Sequence, residues 1–189
     1  MRGAIDELDR RADLALDHLR GNTTVDRVMY AATELGDFGL LWLLIGTAKG
    51  LRSDRDAADA VRIAAVLGME SVLVNGIIKS FFRRERPEWE QERTYKIRKP
   101  RSSSFPSGHA SSAFVAAALL SQSTPRLRPV WYATAVVVAT SRAHVRIHHA
   151  SDVIGGMATG VVLGRIAKRV WPAPVDGNPF SGRRKKHGR

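Results

Sequence analysis

Three short stretches hold most of the side chains able to do chemistry: KSFFRRERP (79–87), PSGH (106–109) and SRAHVRIHHASD (141–152). The last packs three histidines, two arginines and one aspartate into twelve residues, directly after the apolar run VWYATAVVVAT. Lys79, Arg86 and Arg142 supply fixed positive charge, and the two guanidiniums have the forked geometry that matches a phosphate's oxygens. Pro106 suits a first helical turn. Ser107 and Gly108 would then offer a hydroxyl and free backbone N–H groups at a helix N-terminus, where anions bind. His109 and His148 are the candidates for nucleophile and acid. Asp152 follows His148 by four residues and shares its face if that turn is helical. A carboxylate there can hold the imidazole's tautomer and stabilise the imidazolium formed when the other nitrogen attacks. Together these residues make a nucleophile, its orienting group and a phosphate clamp.

Five apolar segments must position them, at roughly 28–48, 57–78, 106–122, 129–141 and 152–167. None alternates as a strand does, and Ala, Leu and Gly dominate, so the fold is expected to be all-helical. Ser53 with Asp56 reads as a capping box opening the second segment. Pro125 and Pro129 bracket the break between the third and fourth. Ahead of them, Ile5, Leu8, Ala12, Ala15, Leu16 and Leu19 recur at helical spacing, so residues 1–20 form an amphipathic helix. The acids among them and the lack of a continuous apolar core argue against a cleavable signal. If the chain zigzags through five helices, all three polar clusters fall at one mouth.

Hydropathy leaves a soluble bundle and a membrane bundle both open. No segment is a clean run of 18 uncharged apolar residues; Glu34, Asp37, Asp59, Arg62 and Glu70 interrupt the first two. Basic residues at segment ends, where they can snorkel, tilt the reading toward membrane. So does the tandem small-residue face of Gly156, Gly160 and Gly164. The Lys and Arg residues divide almost evenly between the two sides, so the positive-inside rule is silent on orientation.

The chain of 189 residues fits one domain, with a net charge of +12 that points to anionic partners. No cysteine is present, which excludes disulfides, thiol nucleophiles and thiolate metal sites. Residues 171–189 carry Pro, Gly and a terminal basic cluster and read as a disordered tail. No aromatic residue interleaves with those basic ones, so nucleic acid is not expected as a partner.

KSFFRRERP, PSGH and SRAHVRIHHASD match, in order, the signature K-x6-R-P, P-S-G-H and S-R-x5-H-x3-D. The chain thus resembles the type 2 phosphatidic acid phosphatase superfamily, the lipid phosphate phosphatases, directly over residues 79–152. The resemblance implies that His148 is the nucleophile that forms a phosphohistidine, supported by Asp152, and that His109 protonates the leaving alkoxide. It makes Lys79, Arg86, Ser107, Gly108 and Arg142 the phosphate-binding set, with no cofactor and no metal. A histidine metal site at His144, His148 and His149 is the competing view, disfavoured by the arginines around it. His144 and His149 are expected to line or cap the site. Arg83, Arg84, Arg98, Lys99 and Arg101 are expected in a solvated or headgroup-facing loop, and Glu70 and Asn75 could orient Lys79.

The implied architecture is a membrane-embedded helical bundle of about five spanning helices plus the N-terminal amphipathic helix. Family members commonly have six spans. One domain, 1–170, would contain the bundle at 28–167, in the plasma (cell) membrane. Its partners would be a lipid phosphate substrate and membrane lipids, and the oligomeric state stays open. Candidate substrates are phosphatidic acid, phosphatidylglycerol phosphate, a polyprenyl (pyro)phosphate or a polyprenyl-linked sugar phosphate. Two alternatives stand beside this. One is a soluble phosphatase or vanadate-dependent haloperoxidase with the same site; the other is a non-catalytic basic protein that binds membranes, nucleic acid or other anions.

Overall fold

The computed structural model describes residues 2–88 and 102–175, and every regular element among them is helical. Arg98, Lys99, Arg101 and the basic cluster of the tail lie outside the described residues. In chain order the helices are α1 (Arg2–Asp17), α2 (Thr23–Leu35), α3 (Leu40–Gly50), α4 (Asp54–Ser71), α5 (Gly108–Ser123), α6 (Arg128–His144) and α7 (Ala150–Val170). A π turn and a 3₁₀ turn continue α4 as far as Phe81. Ser53 caps α4 by accepting from Asp56 N at 3.1 Å, as the capping signal predicts.

The segment 28–48, expected as one element, is two. Residues Asp37–Gly39 break it, Phe38 and Gly39 have φ of 54° and 71°, and the flanking helices meet at 68°. α4 with its extension (28 residues) and α7 (21 residues) are long and apolar enough to cross a membrane, and the bent α2–α3 pair would make a third such span. At 16 and 17 residues, α5 and α6 reach only about 24–26 Å.

α5 is the central post. Ala110, Ala113, Val115, Ala116, Ala117, Leu119 and Leu120 are all fully buried, packed among α3, α4, α6 and α7. α7 lies against it through Gly156, Gly160 and Gly164. A Cβ at Gly156 would come within 2.4 Å of Ser107 O, and one at Gly160 within 2.4 Å of Ser111 O. Backbone cannot give way as a side-chain tip can, so glycine is required there. The same seating lets Ser107 N donate to Asp152 O at 3.0 Å, which locks the start of α5 beside the start of α7.

Of the charges that interrupt the apolar runs, Asp59 and Arg62 are paired inside, whereas Glu34 is exposed. At the end of the bundle away from the three motifs, Lys49 contacts Asp56 and Asp59 at 2.7 and 2.8 Å, and Asp59 also pairs with the fully buried Arg62. Arg62 goes on to Gln122 and to the Trp171 carbonyl. Pro174 O accepts from Arg55, so residues just beyond α7 fold back onto α4.

α1 packs on α6 and α7 beside the motif residues. Its acids face basic partners: Asp9 meets Arg84 and Ser151, while Asp13 and Asp17 hold Arg146.

Candidate active site

A cavity of about 330 Å³ opens among the break after α2, α4, the start of α5 and the end of α6. Lys79, Gly108, His109, Arg142 and His148 line it together, with Asp37, Glu70, Ser71, Asn75 and Ser102 completing the wall. The zigzag therefore does gather the three motifs at one end.

Each side chain arrives for a local reason. Lys79 stands where α4 unwinds, buried. Helix α5 begins at Gly108, so Pro106 lies just before the N-cap and not in the first turn where the sequence placed it. Ser107 is that N-cap, its buried hydroxyl accepting from Ala110 N at 3.4 Å. At Gly108 a Cβ would stand 2.7 Å from Asn75 Oδ1, so any larger residue would displace that amide. Arg142, near the end of α6, donates to Thr33 Oγ1 at 2.8 Å.

His148 follows a tight reversal. Ile147 N and Arg146 N donate back to the Arg142 and Ala143 carbonyls, with Arg146 at φ 51°. This is a Schellman ending with arginine where glycine is usual. Arg20 donates to the carbonyls of His144 and Ala143, satisfying one further group at that helix end and sharing the other with Arg146 N.

The imidazole of His148 is buried, with Arg86 Nη1 3.2 Å from Nε2. On its other side Nδ1 faces Asp152 Oδ2 at 3.6 Å and Ser104 Oγ at 3.4 Å. Those neighbours assign the proton to Nδ1 and the lone pair to Nε2, on the cationic side. Burial, reinforced by Arg142, Arg86 and Lys79 and opposed by Asp152, pushes this histidine down to about 3. The ring is therefore neutral at neutral pH.

Asp152 does not sit one helical turn beyond His148, because α7 begins only at Ala150 and His149 is its N-cap. At 3.6 Å the carboxylate is beyond ordinary hydrogen-bond length from Nδ1. It is held instead by His149 N at 2.8 Å, by Arg84 at 2.7 Å and by a short bond from the Ser104 hydroxyl. Its support of His148 is thus charge at close range, with Ser104 between the two.

His109 Nε2 lies 2.9 Å from Asp37 Oδ1. Arg86 does not line this cavity but lies beside it, donating to Ile147 O at 2.9 Å and meeting His148 Nε2. His144 is buried and pairs with Asp26 at 2.8 Å, while His149 faces a second cavity of about 510 Å³ under α1 that also reaches His148. Arg83 is exposed, as expected of a loop residue. Glu70 lies near Lys79, and Asn75 donates to Ser71 at 3.2 Å.

Sequence reasoning missed Ser104, Asp37 and the structural part played by Arg84. Ser104 and Arg84 carry no periodic signal. Asp37 did leave one, since GDFG interrupts an otherwise apolar segment.

The sequence matches the PAP2 superfamily over residues 59–175. It is 28% identical over 165 residues to decaprenylphosphoryl-5-phosphoribose phosphatase of Mycobacterium tuberculosis (strain ATCC 25618 / H37Rv), covering 85% of this chain and 91% of that protein. It is 30% identical over 151 residues to phosphatidylglycerophosphatase B of Bacillus subtilis (strain 168), covering 74% and 71%. Its fold is similar to the crystal structure of a transmembrane PAP2-type phosphatidylglycerolphosphate phosphatase from Bacillus subtilis, with a TM-score of 0.68 and 27% identity over 88% of this chain and 86% of that one.

Proposed function

Because the chain belongs to the PAP2 superfamily, we propose that it is a membrane phosphatase that hydrolyses a lipid phosphate monoester or pyrophosphate through a phosphohistidine on His148. The observation that carries this reading is the meeting of Lys79, Gly108, His109, Arg142 and His148 around one cavity. Nε2 of His148 attacks phosphorus while the bond to the leaving oxygen breaks. His109 gives that oxygen its proton. Water then attacks the phosphohistidine, His109 takes a proton from it, and phosphate leaves. Lys79, Arg86 and Arg142, with the backbone N–H of Gly108, carry the phosphoryl charge through both steps. Ser107 acts by capping α5 and so aiming those N–H groups.

The broken α2–α3 pair, α4, α5, α6 and α7 are read as five passes, with α1 on the surface beside the site. α5 and α6 fall short of the roughly 30 Å hydrocarbon thickness, which local thinning can accommodate. The names of the relatives suggest a phosphate on a lipid-linked ribose or on phosphatidylglycerol, and the plasma membrane is the natural place for either. Polyprenyl pyrophosphate and phosphatidic acid complete the panel.

The test is phosphate release by the purified protein from that panel in mixed micelles. We expect turnover on at least one lipid phosphate, retained with EDTA, blocked by vanadate and abolished in His148→Ala. Turnover that survives His148→Ala would identify a different nucleophile, and loss with EDTA would restore the metal reading.

A further inference from the structure

The break between α2 and α3 does something specific. An aspartate interrupts an apolar segment, and the backbone departs from helix at Phe38 with φ 54°, in a region that side chains disfavour. The Phe38 ring is 83% exposed, so burial of that ring does not explain the conformation. What the break delivers is Asp37, whose Oδ1 stands 2.9 Å from His109 Nε2. Gly36 clears the approach, since a Cβ there would lie 2.7 Å from His109 Cδ2 and 3.0 Å from Val138 Cγ1. The carboxylate is close but off the N–H axis, and Nε2 makes no aligned hydrogen bond among the described residues. A carboxylate in that position fixes the orientation of the ring without capturing a proton on Nε2.

We propose that Asp37 is a positioning residue for His109, holding the imidazole in place while leaving Nε2 free to pass a proton to the departing oxygen. This rests on the reading of His109 as the acid. As the P–O bond breaks, its electron pair stays on the leaving oxygen, which takes the Nε2 proton; Asp37 remains ionised throughout. When water attacks the phosphohistidine, the now neutral Nε2 receives a proton beside the same carboxylate. Strain is stored at functional sites where the surrounding fold can hold it. Here the bend serves the acid, and Thr33 at the end of α2 serves Arg142.

The test compares Asp37→Asn, isosteric and uncharged, with wild type in detergent on two substrates: an alkyl lipid phosphate, which needs protonation to leave, and an activated aryl phosphate, which does not. We expect kcat on the alkyl substrate to fall about 10–100-fold, with aryl turnover changed less than about threefold and KM little affected. The other groups facing His109 are Arg142 from α6 and the Thr33 backbone from α2, with Lys79 and Glu70 from α4 and His148 on the same cavity, and all are kept in the variant. In a His109→Gln background, Asp37→Asn should add no further loss. Gly36→Ala, which displaces the imidazole and keeps Asp37, should give the same leaving-group signature and serves as the second variant if Asp37→Asn melts early. Equal loss on both substrates, or losses that multiply with His109→Gln, would overturn the role of Asp37. If His109→Gln itself shows no leaving-group dependence, the acid assignment falls first and separately.

Discussion

Burial decides the charge state of His148, with three cations adding to it and one carboxylate opposing. The folded state therefore keeps this imidazole neutral down to about pH 3, while in the unfolded chain it protonates near its ordinary 6.5. Between those values the unfolded chain binds the extra proton, so this group's contribution to stability is intact above pH 6.5 and declines as pH falls through the window. His148→Gln should accordingly lose less of its melting temperature than wild type between pH 7 and pH 4 in detergent; equal slopes would mean that the imidazole is not held neutral. Ser104→Ala should lower kcat by about tenfold at nearly constant KM, because the hydroxyl fixes the Asp152 carboxylate behind Nδ1. Stopped assays on the best lipid substrate would check this, and an unchanged kcat would reduce Ser104 to packing. Motif spacing reached Lys79, Arg86, His109, Arg142, His148 and Asp152. It could not reach Ser104 or Asp37, which meet the histidines across the fold from a loop and a helix break.

Two elements set the geometry that those residues need. α7 is seated on α5 by glycines facing backbone carbonyls, and this register brings Asp152 O to Ser107 N. Gly160→Ala would place a Cβ 2.4 Å from Ser111 O and 2.8 Å from Phe114 Cβ. The helices must part, at a cost of about 1–3 kcal/mol, and kcat should fall with stability. A thermal melt paired with steady-state rates tests this; full activity at wild-type stability would contradict it. The helices themselves were legible because Ala, Leu and Gly recur without alternation and Ser53 marks a start. The turn that presents His148 was not, since glycine is the expected residue in its left-handed position and Arg146 stands there. α1 explains how the arginine is held: Asp13 and Asp17 pair with it, and Arg20 caps the helix end beside it. The acids that argued against a cleavable signal in residues 1–20 are the contacts that dock them here.

Across the whole molecule, the charges that blurred the hydropathy profile, Glu34 apart, turn inward at both ends. One set builds the cavity; the other, Lys49, Asp59 and Arg62, ties α3 to α4 and reaches Gln122 of α5 and the segment after α7, far along the bundle from His148. Removing one partner of a buried ionic network strands the rest, so Asp59→Ala should cost about 3–5 kcal/mol. Activity at low temperature should stay within about twofold of wild type, and a selective loss of kcat without a drop in melting temperature would refute that separation. Composition alone could not assign these charges, because an average hydropathy does not record which groups are paired. The inward use of the α7 glycines also bears on how neighbours in a bilayer could be studied. Its outward surface offers Ile154, Val162 and Ile166, each about half exposed, so any self-association through this helix would rest on branched side chains. A reporter screen that bulks up Gly160 to separate protomers would register a collapsed catalyst and mistake it for a dissolved dimer.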